Sequence, residues 1–239
     1  WKQDTDAWAV FFQGTYDITD TLSLTAGVRY TEEEKSVHAQ TDLVHDTTGL
    51  ATPDMNPYNA AINAASFGSY AHVFDEDRKT DQLMPAFNLT WEMSDTSLLY
   101  VSYSEGFKSG GFNSVDDQNP EIAADGSILR TTPGLGFEYE DENAESFEIG
   151  GKHTLMDGSM TVNWAVFNSE YMNQQVSTFV GLGFVVANAA SSDIRGIEID
   201  MQYQATDNLR LGANVAMLDA KYGAFDAAGC TAAQDSALI

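Results

Sequence analysis

The chain has 239 residues, 43% of them hydrophobic and 11% aromatic, a composition that excludes disorder and small stapled scaffolds. Eleven Lys and Arg stand against thirty-six Asp and Glu, a formal charge of −25, which excludes charge-driven binding to nucleic acid or to an anionic membrane surface. A single cysteine, Cys230, rules out a disulfide framework and a multi-thiolate zinc site.

No stretch reaches the roughly 18 consecutive apolar residues of a spanning helix, and mean hydropathy is −0.26. A membrane strand needs only alternate apolar residues, so a β-barrel stays open. The chain starts at Trp1 with neither a charged nor an apolar leader segment. Processing or truncation is therefore expected to have removed what came before.

In chain order, the dominant signal is period-two alternation over long segments separated by turn formers. AWAVFFQGTYD sets Trp8, Val10, Phe12 and Tyr16 against Gln13, Thr15 and Asp17. After a short turn at Thr19 and Asp20, TLSLTAGVRYTEEEK sets Leu22, Leu24, Ala26, Val28 and Tyr30 against Ser23, Thr25, Gly27, Arg29 and Thr31. The polar stretch from about 37 to 80 reads as a long loop, well beyond ordinary connection lengths. LMPAFNLTWEM and LLYVSYSEGFK then alternate around a tight SDTS turn, with Phe87, Leu89, Trp91 and Met93 followed by Leu99, Val101, Tyr103 and Phe107 on the apolar side.

A second long, acidic connection leads to NAESFEIGGKHTL, a turn at 156–159, and SMTVNWAVFNSEY, with apolar Phe147, Ile149, Leu155, Val162, Trp164 and Val166. A medium loop containing FVGLGFVV precedes IRGIEIDMQYQ, a TDN turn and NLRLGANVAML. The expectation is about eight antiparallel strands in four hairpins.

A transmembrane barrel and a soluble sandwich both alternate, and three features favour the barrel. The segments run to about 10 residues or more, as a tilted crossing requires, against a mode of about 5 to 6 in soluble proteins. Connections alternate short, long, short, long, short, medium, short, as tight periplasmic turns and free external loops would. Aromatics of the apolar face sit near strand ends, suited to both headgroup levels, while Arg29, Glu92, Lys108, Glu148, Lys152, Glu198 and Asp200 share the opposite face, where a wet or plugged lumen accommodates charge. With short turns inside, both chain ends fall on the outer side. At least one strand before Trp1 and one after Ile239 are expected, in a barrel of at least about ten strands.

YVSYSEGFKSGGFN, preceded by LMPAFNLTW and followed by NAESFEIGGKHTLMDGSM, resembles the barrel of TonB-dependent outer-membrane receptors. So do LSLTAGVRYT and RGIEIDMQYQATDNLRLGANVAML, and the resemblance covers most of residues 6–222 in the family's order. It implies that residues 1–239 are part of an up-and-down barrel of about 22 strands, closed by an N-terminal plug. It also implies uptake of iron chelates, cobalamin or glycans, with cargo bound at outer loops and plug apices. TonB would act through a short motif outside these residues. Implied partners are TonB, outer-membrane lipid and lipopolysaccharide, and a small nutrient ligand. No cofactor and no catalysis are implied.

Other constellations carry weaker chemistry. In GFKSGGFN the lysine precedes the second glycine pair and no helix follows, so it is no phosphate cradle. Gly106, Gly110 and Gly111 are read as letting the strand end bend at the rim, with Phe107 at the interface. The acidic groups Asp75, Glu76 and Asp77, then Asp116 and Asp117, then Glu138, Glu140, Asp141 and Glu142 read as solvated loop surface, or as divalent-cation sites that would bridge lipopolysaccharide phosphates. Their field would favour neutral or cationic cargo. His38, His45 and His72, with Asp42 and Asp46, would need convergence to hold a metal; His153 reads as an interface residue. Glu145 with Glu148, and Glu198 with Asp200, raise a two-carboxylate hydrolase reading, against which a lumen wall facing a charged plug is simpler. Cys230 is expected in an external loop, paired beyond Ile239 or incidental.

The reading is a TonB-energised outer-membrane receptor component. The alternatives are a passive porin, which lacks the plug, and a secreted soluble β-protein binding glycans.

Overall fold

The computed structural model describes residues 1–41, 72–114, 121–122, 128–129, 138–180, 183–188 and 191–223. In chain order the strands are β1 Lys2–Thr19, β2 Leu22–Thr41, β3 His72–Ser94, β4 Ser97–Lys108, β5 Gly111–Phe112, β6 Glu121–Ile122, β7 Ile128–Leu129, β8 Glu138–Tyr139, β9 Glu142–Leu155, β10 Met160–Met172, β11 Gln175–Val180, β12 Gly183–Asn188, β13 Ser192–Thr206 and β14 Leu209–Tyr222. Eight of them form one sheet in the order β1-β2-β3-β4-β9-β10-β13-β14, and β5-β8, β6-β7 and β11-β12 are separate two-stranded pairs. Neighbours in the large sheet are antiparallel throughout, the up-and-down wall of a barrel segment that does not close on itself.

Register converts the alternation of each strand into two continuous faces. Tyr16 stands opposite Leu24, and Leu24 opposite Leu89; the row continues through Val101, Ile149, Val166 and Ile197 to Met217. One position along, Thr15, Thr25, Asn88, Ser102 and Glu148 make a polar row on the other side. In the two-sheet sandwich alternative, a second sheet would bury the apolar side. Among the described residues that side is bare instead: Phe12 is 73% exposed and Trp91 50%. On β2 it runs from Leu22 to Tyr30, about 26 Å along the strand, which matches the outward band of an outer-membrane barrel.

Two expectations need correction. Residues 37–41 and 72–80 are not loop. β2 and β3 stay paired from Leu22–Trp91 out to Thr41–His72, so the hairpin continues about 36 Å along the strand past the apolar band, with Asp75, Glu76 and Asp77 inside β3. The polar composition misled because a ladder in water needs no apolar face to keep its backbone hydrogen bonds. The connection containing FVGLGFVV likewise holds a hairpin, β11 paired to β12.

Gly110 and Gly111, where the chain leaves β4 after Lys108, are also sites of close approach. A Cβ on Gly110 would meet the Arg78 side chain at 2.8 Å and one on Gly111 the Tyr139 hydroxyl at 2.7 Å. At Gly106, where bending was also expected, a Cβ would meet nothing within 4 Å.

At the outer end of the apolar face a row of directly paired carboxylates, Glu105, Glu145, Glu170 and Asp193, ends opposite Lys221. Like charges facing each other destabilise a ladder and would be untenable against hydrocarbon, so this row marks where the apolar face stops. A charge placed below it tests the assignment of the faces. Leu89→Arg is expected to cost about 2–4 kcal/mol of folding stability in liposomes, read by urea titration, and Asn88→Arg, one residue away, to be near neutral.

Candidate functional site on the inner wall

The polar face holds two features, a mid-wall depression and a bonded cluster near the long-loop end. The depression, about 480 Å³, is lined among others by Tyr100, Lys152, Asn163, Glu198, Asp200 and Asn214. Its floor is shaped by glycine. Tyr100 stands opposite Gly150, so closely that a Cβ there would collide with the ring, and the phenol donates to Glu148 at 2.6 Å. Asn163 donates to Asp200 at 3.5 Å. This is a charged wall that presents both signs to whatever occupies the interior.

The cluster near the long-loop end is tighter. Lys35 and Arg78 face each other across β2 and β3, an arrangement that is repulsive alone. Around them fold the two ends of the β4–β9 connection, residues 109–113 and 138–141. Arg78 bonds Glu138 through Nη1 and Asp141 through Nη2 at 3.1 Å, with Glu140 at 3.9 Å. The same Asp141 oxygen accepts from the Gly110 amide at 2.6 Å and the Thr80 hydroxyl at 3.2 Å. Lys35 donates to Ser109 Oγ at 2.7 Å and to the Gly110 carbonyl at 2.5 Å, and pairs with Glu33 at 2.7 Å. Both sides of the Gly110 peptide are thereby held, and beside it Val37, Ala39 and Phe112 form the buried apolar cluster of the described residues.

Side-chain amides extend the network to the β11–β12 hairpin. Asn113 exchanges hydrogen bonds with the Val186 backbone at 2.8 and 2.7 Å. Gln175 Nε2 donates to the carbonyls of Ser109 and Glu140 at 3.0 Å each, and Asn188 Nδ2 to that of Glu140 at 2.9 Å. Asn173, at φ 56, a conformation asparagine tolerates, donates to the Asp141 carbonyl at 2.9 Å. Nothing in the sequence marks these amides, because their partners are backbone groups far along the chain.

Outside the apolar band, electrostatics follow this geometry. Burial opposes the charge of Arg78, but its bonds to Glu138 and Asp141 outweigh it and hold the guanidinium above its ordinary pKa. Burial likewise raises Glu33, and hydrogen bonds with Lys35 and Ser109 outweigh it, leaving the carboxyl below its ordinary value of 4.5.

The structure sorts the remaining candidates. Arg29, Glu92, Lys108, Glu148, Lys152, Glu198 and Asp200 all project to the polar face, as the register shows. Glu198 and Asp200 both line the depression, whereas Glu145 and Glu148 fall on opposite faces, so the latter pair cannot converge on a substrate. Asp75 and Asp77 point outward with His38, whose Nδ1 lies 2.6 Å from Asp75, while Glu76 falls on the inner register. Glu142 accepts the Gln175 amide at 2.8 Å.

Acids expected to be merely solvated are thus partly ion-pair and hydrogen-bond partners. Among the described residues no group of three or more His, Cys, Asp or Glu is placed to hold a metal. His45, Asp42, Asp46, Asp116, Asp117, Cys230 and the side chain of His72 lie outside the described residues. On the outer face near the short-turn end, Trp164 donates to His153 Nε2 at 3.1 Å and Nδ1 faces Ser97 Oγ at 3.1 Å; Phe107 stands opposite Asn143.

A family model described as the TonB-dependent receptor-like β-barrel matches residues 1–236. A curated relative, the probable TonB-dependent siderophore receptor PiuA of Acinetobacter baumannii, is 23% identical over 154 residues, 64% of this chain and 19% of the relative. The ferric yersiniabactin uptake receptor FyuA of Yersinia pestis shares the fold at TM-score 0.65 and 15% identity, over 92% of this chain and 28% of that one. The hemophore receptor HasR of Serratia marcescens, solved with its hemophore and heme, does so at 0.58 and 17%, over 90% and 34%. The chain therefore spans about a fifth to a third of the proteins it matches.

Lowered in the folded state, the Glu33 pKa makes a stabilising contribution that is complete above 4.5 and lost as pH falls through the lower folded value. Urea midpoints measured at about pH 6 and about pH 3.5 are expected to drop on acidification, and Glu33→Gln to reduce that drop.

Proposed function

The chain belongs to the TonB-dependent receptor β-barrel family, a family of transporters and receptors rather than enzymes, and from that membership we propose that the complete protein is an outer-membrane receptor importing a ferric siderophore-class chelate at the expense of TonB. The observation that carries this is the match of 1–236 to the barrel model, joined to a curated siderophore receptor as relative. In this reading residues 1–239 are one arc of a barrel of about 22 strands. The apolar face meets outer-membrane lipid, and the charged residues beyond Tyr30 and Leu83 meet the lipopolysaccharide headgroup layer. The depression with Lys152, Glu198 and Asp200 faces a plug, and TonB engages a segment outside the chain.

Geometry gives supporting reasons. The inner wall carries charges of both signs, which suits a polar, removable occupant better than a dry core, and the loop ends converge at the mouth through which cargo would enter. Binding energy at such a mouth comes from a few placed polar groups, while release against a gradient needs an external energy source.

The test is uptake of iron-55 complexed to a panel of siderophores, in cells lacking the complete gene and in cells lacking TonB. Loss of uptake of one chelate in both strains is the expected result. Uptake that depends on the gene but persists without TonB would favour a passive porin, and no effect of the gene on any chelate would overturn iron as the cargo.

A further inference from the structure

We propose that Trp164, His153 and Ser97 form a hydrogen-bond relay on the outer face, near the short-turn end, that aims the Ser97 hydroxyl at the ester carbonyl of a glycerophospholipid in the periplasmic leaflet. The site requires the apolar face to be the lipid-facing one, as the proposed function has it. Three side chains from three strands meet here. Ser97 on β4 stands opposite His153 on β9, and Trp164 on β10 stands opposite Gly151, two residues before His153 and so on the same side of β9. The indole lies in the space that this glycine leaves: a Cβ on Gly151 would meet Trp164 Nε1 at 2.6 Å and His153 Nε2 at 2.9 Å.

The direction of the relay follows from what each group is able to donate. An indole N–H is a donor only, so His153 Nε2, 3.1 Å from Trp164 Nε1, is an acceptor and carries no proton. The network thereby assigns the ring proton to Nδ1, which donates to Ser97 Oγ, also at 3.1 Å. Ser97 is left with its own hydroxyl proton to place elsewhere, and no acceptor for it stands among the described residues. The same tautomer withholds the imidazole lone pair from Ser97, so the two are not a nucleophile and its general base.

Depth selects the partner. The outer row Ser97, His153, Val162, Met201 and Ala213 lies one step inside the row of Leu155, Met160, Tyr203 and Leu211, which carries the apolar face about 7 Å further toward the short turns. Ser97 is half-buried and is the first residue of its strand. A hydroxyl at this level is just inside the end of the apolar face, where water is scarce and an unpaired donor is costly. The ester carbonyls of a phospholipid, which accept and do not donate, border the hydrocarbon there, and the phosphates lie further out in the headgroup layer.

The test is urea titration of the complete protein in liposomes of diester and of diether phosphatidylcholine, which share headgroup and chains and differ in the carbonyl. Ser97→Ala is expected to lower the folding equilibrium constant by about fivefold more in the diester lipid, and Ser146→Ala, on the polar face, to act equally in both. Trp164→Phe frees Nε2 to take the ring proton and lets Ser97 donate to Nδ1. It is expected to show the same excess loss in the diester lipid, and Ser97→Ala in its background to show none. Equal losses in the two lipids for Ser97→Ala and for Trp164→Phe would overturn the proposal and assign the serine proton to water or phosphate. A nitroxide at Val162, in a Cys230→Ser background, reports the face separately. Relaxation by oxygen there keeps the lipid-facing assignment, so that equal losses count against the Ser97 site alone; relaxation by a water-soluble nickel complex overturns both.

Discussion

Cross-strand register is the constraint on which the rest of the structure depends. Side chains alternate along each strand, so a slip of one residue between any two neighbours would move an entire apolar set to the polar side. The unbroken row from Tyr16 on β1 to Met217 on β14 exists because seven consecutive pairings keep the same phase. Short turns impose that phase. Asp20-Thr21, Asp95-Thr96 and Asp207-Asn208 join strands with two residues each, and the four-residue turn at 156–159 is shaped by positive φ at Met156, Asp157 and Gly158. Long connections lie on the other side of the sheet, where strands are free to outrun the apolar band.

That asymmetry organises chemistry as well as topology. At the short-turn end, polar groups bond across adjacent strands, Thr15 to Thr25 at 2.8 Å and His153 to Ser97 and Trp164 at 3.1 Å each. At the long-loop end, β2 and β3 continue into water, and a ladder without lipid on one side and lumen on the other is free to recruit segments distant in sequence. Lys35, Arg78, Gly110, Asp141, Gln175 and Asn188 meet there, drawn from connections separated by up to about 150 residues, a reach that loop-closure entropy opposes only logarithmically. The ionic groups supply direction and the amides supply backbone recognition, so the loop ends adopt one arrangement with very little apolar burial.

The balance of charge also changes meaning when the sheet is assembled. A chain of net charge −25 reads as a diffuse negative field, yet its few cations are not spread evenly. Lys35 and Arg78 stand against residues 109–110 and 138–141, while Lys79, Arg195 and Lys221 pair with carboxylates on the outer rim. The field met at the mouth therefore depends on which carboxylates are already paired, and on the inner wall Glu138 and Asp141 are.

Much of the architecture was legible in the residues themselves. Eight long strands, their pairing as hairpins, and the split between Leu24, Leu89, Val101 and Ile149 on one side and Thr25, Asn88, Ser102 and Glu148 on the other follow from local alternation and turn chemistry, while the family resemblance rests on ordered segments such as YVSYSEGFKSGGFN. These are short-range properties, so one sequence suffices to show them. What the fold alone decided is of longer range: that β2 and β3 stay paired far past the band, that Gly110 and Gly111 yield space to Arg78 and Tyr139, and that Asn113, Asn173, Gln175 and Asn188 seek backbone partners. Hydrogen bonds and ion pairs between distant segments leave no periodic trace in a sequence, because either partner is an ordinary polar residue until folding sets it opposite the other.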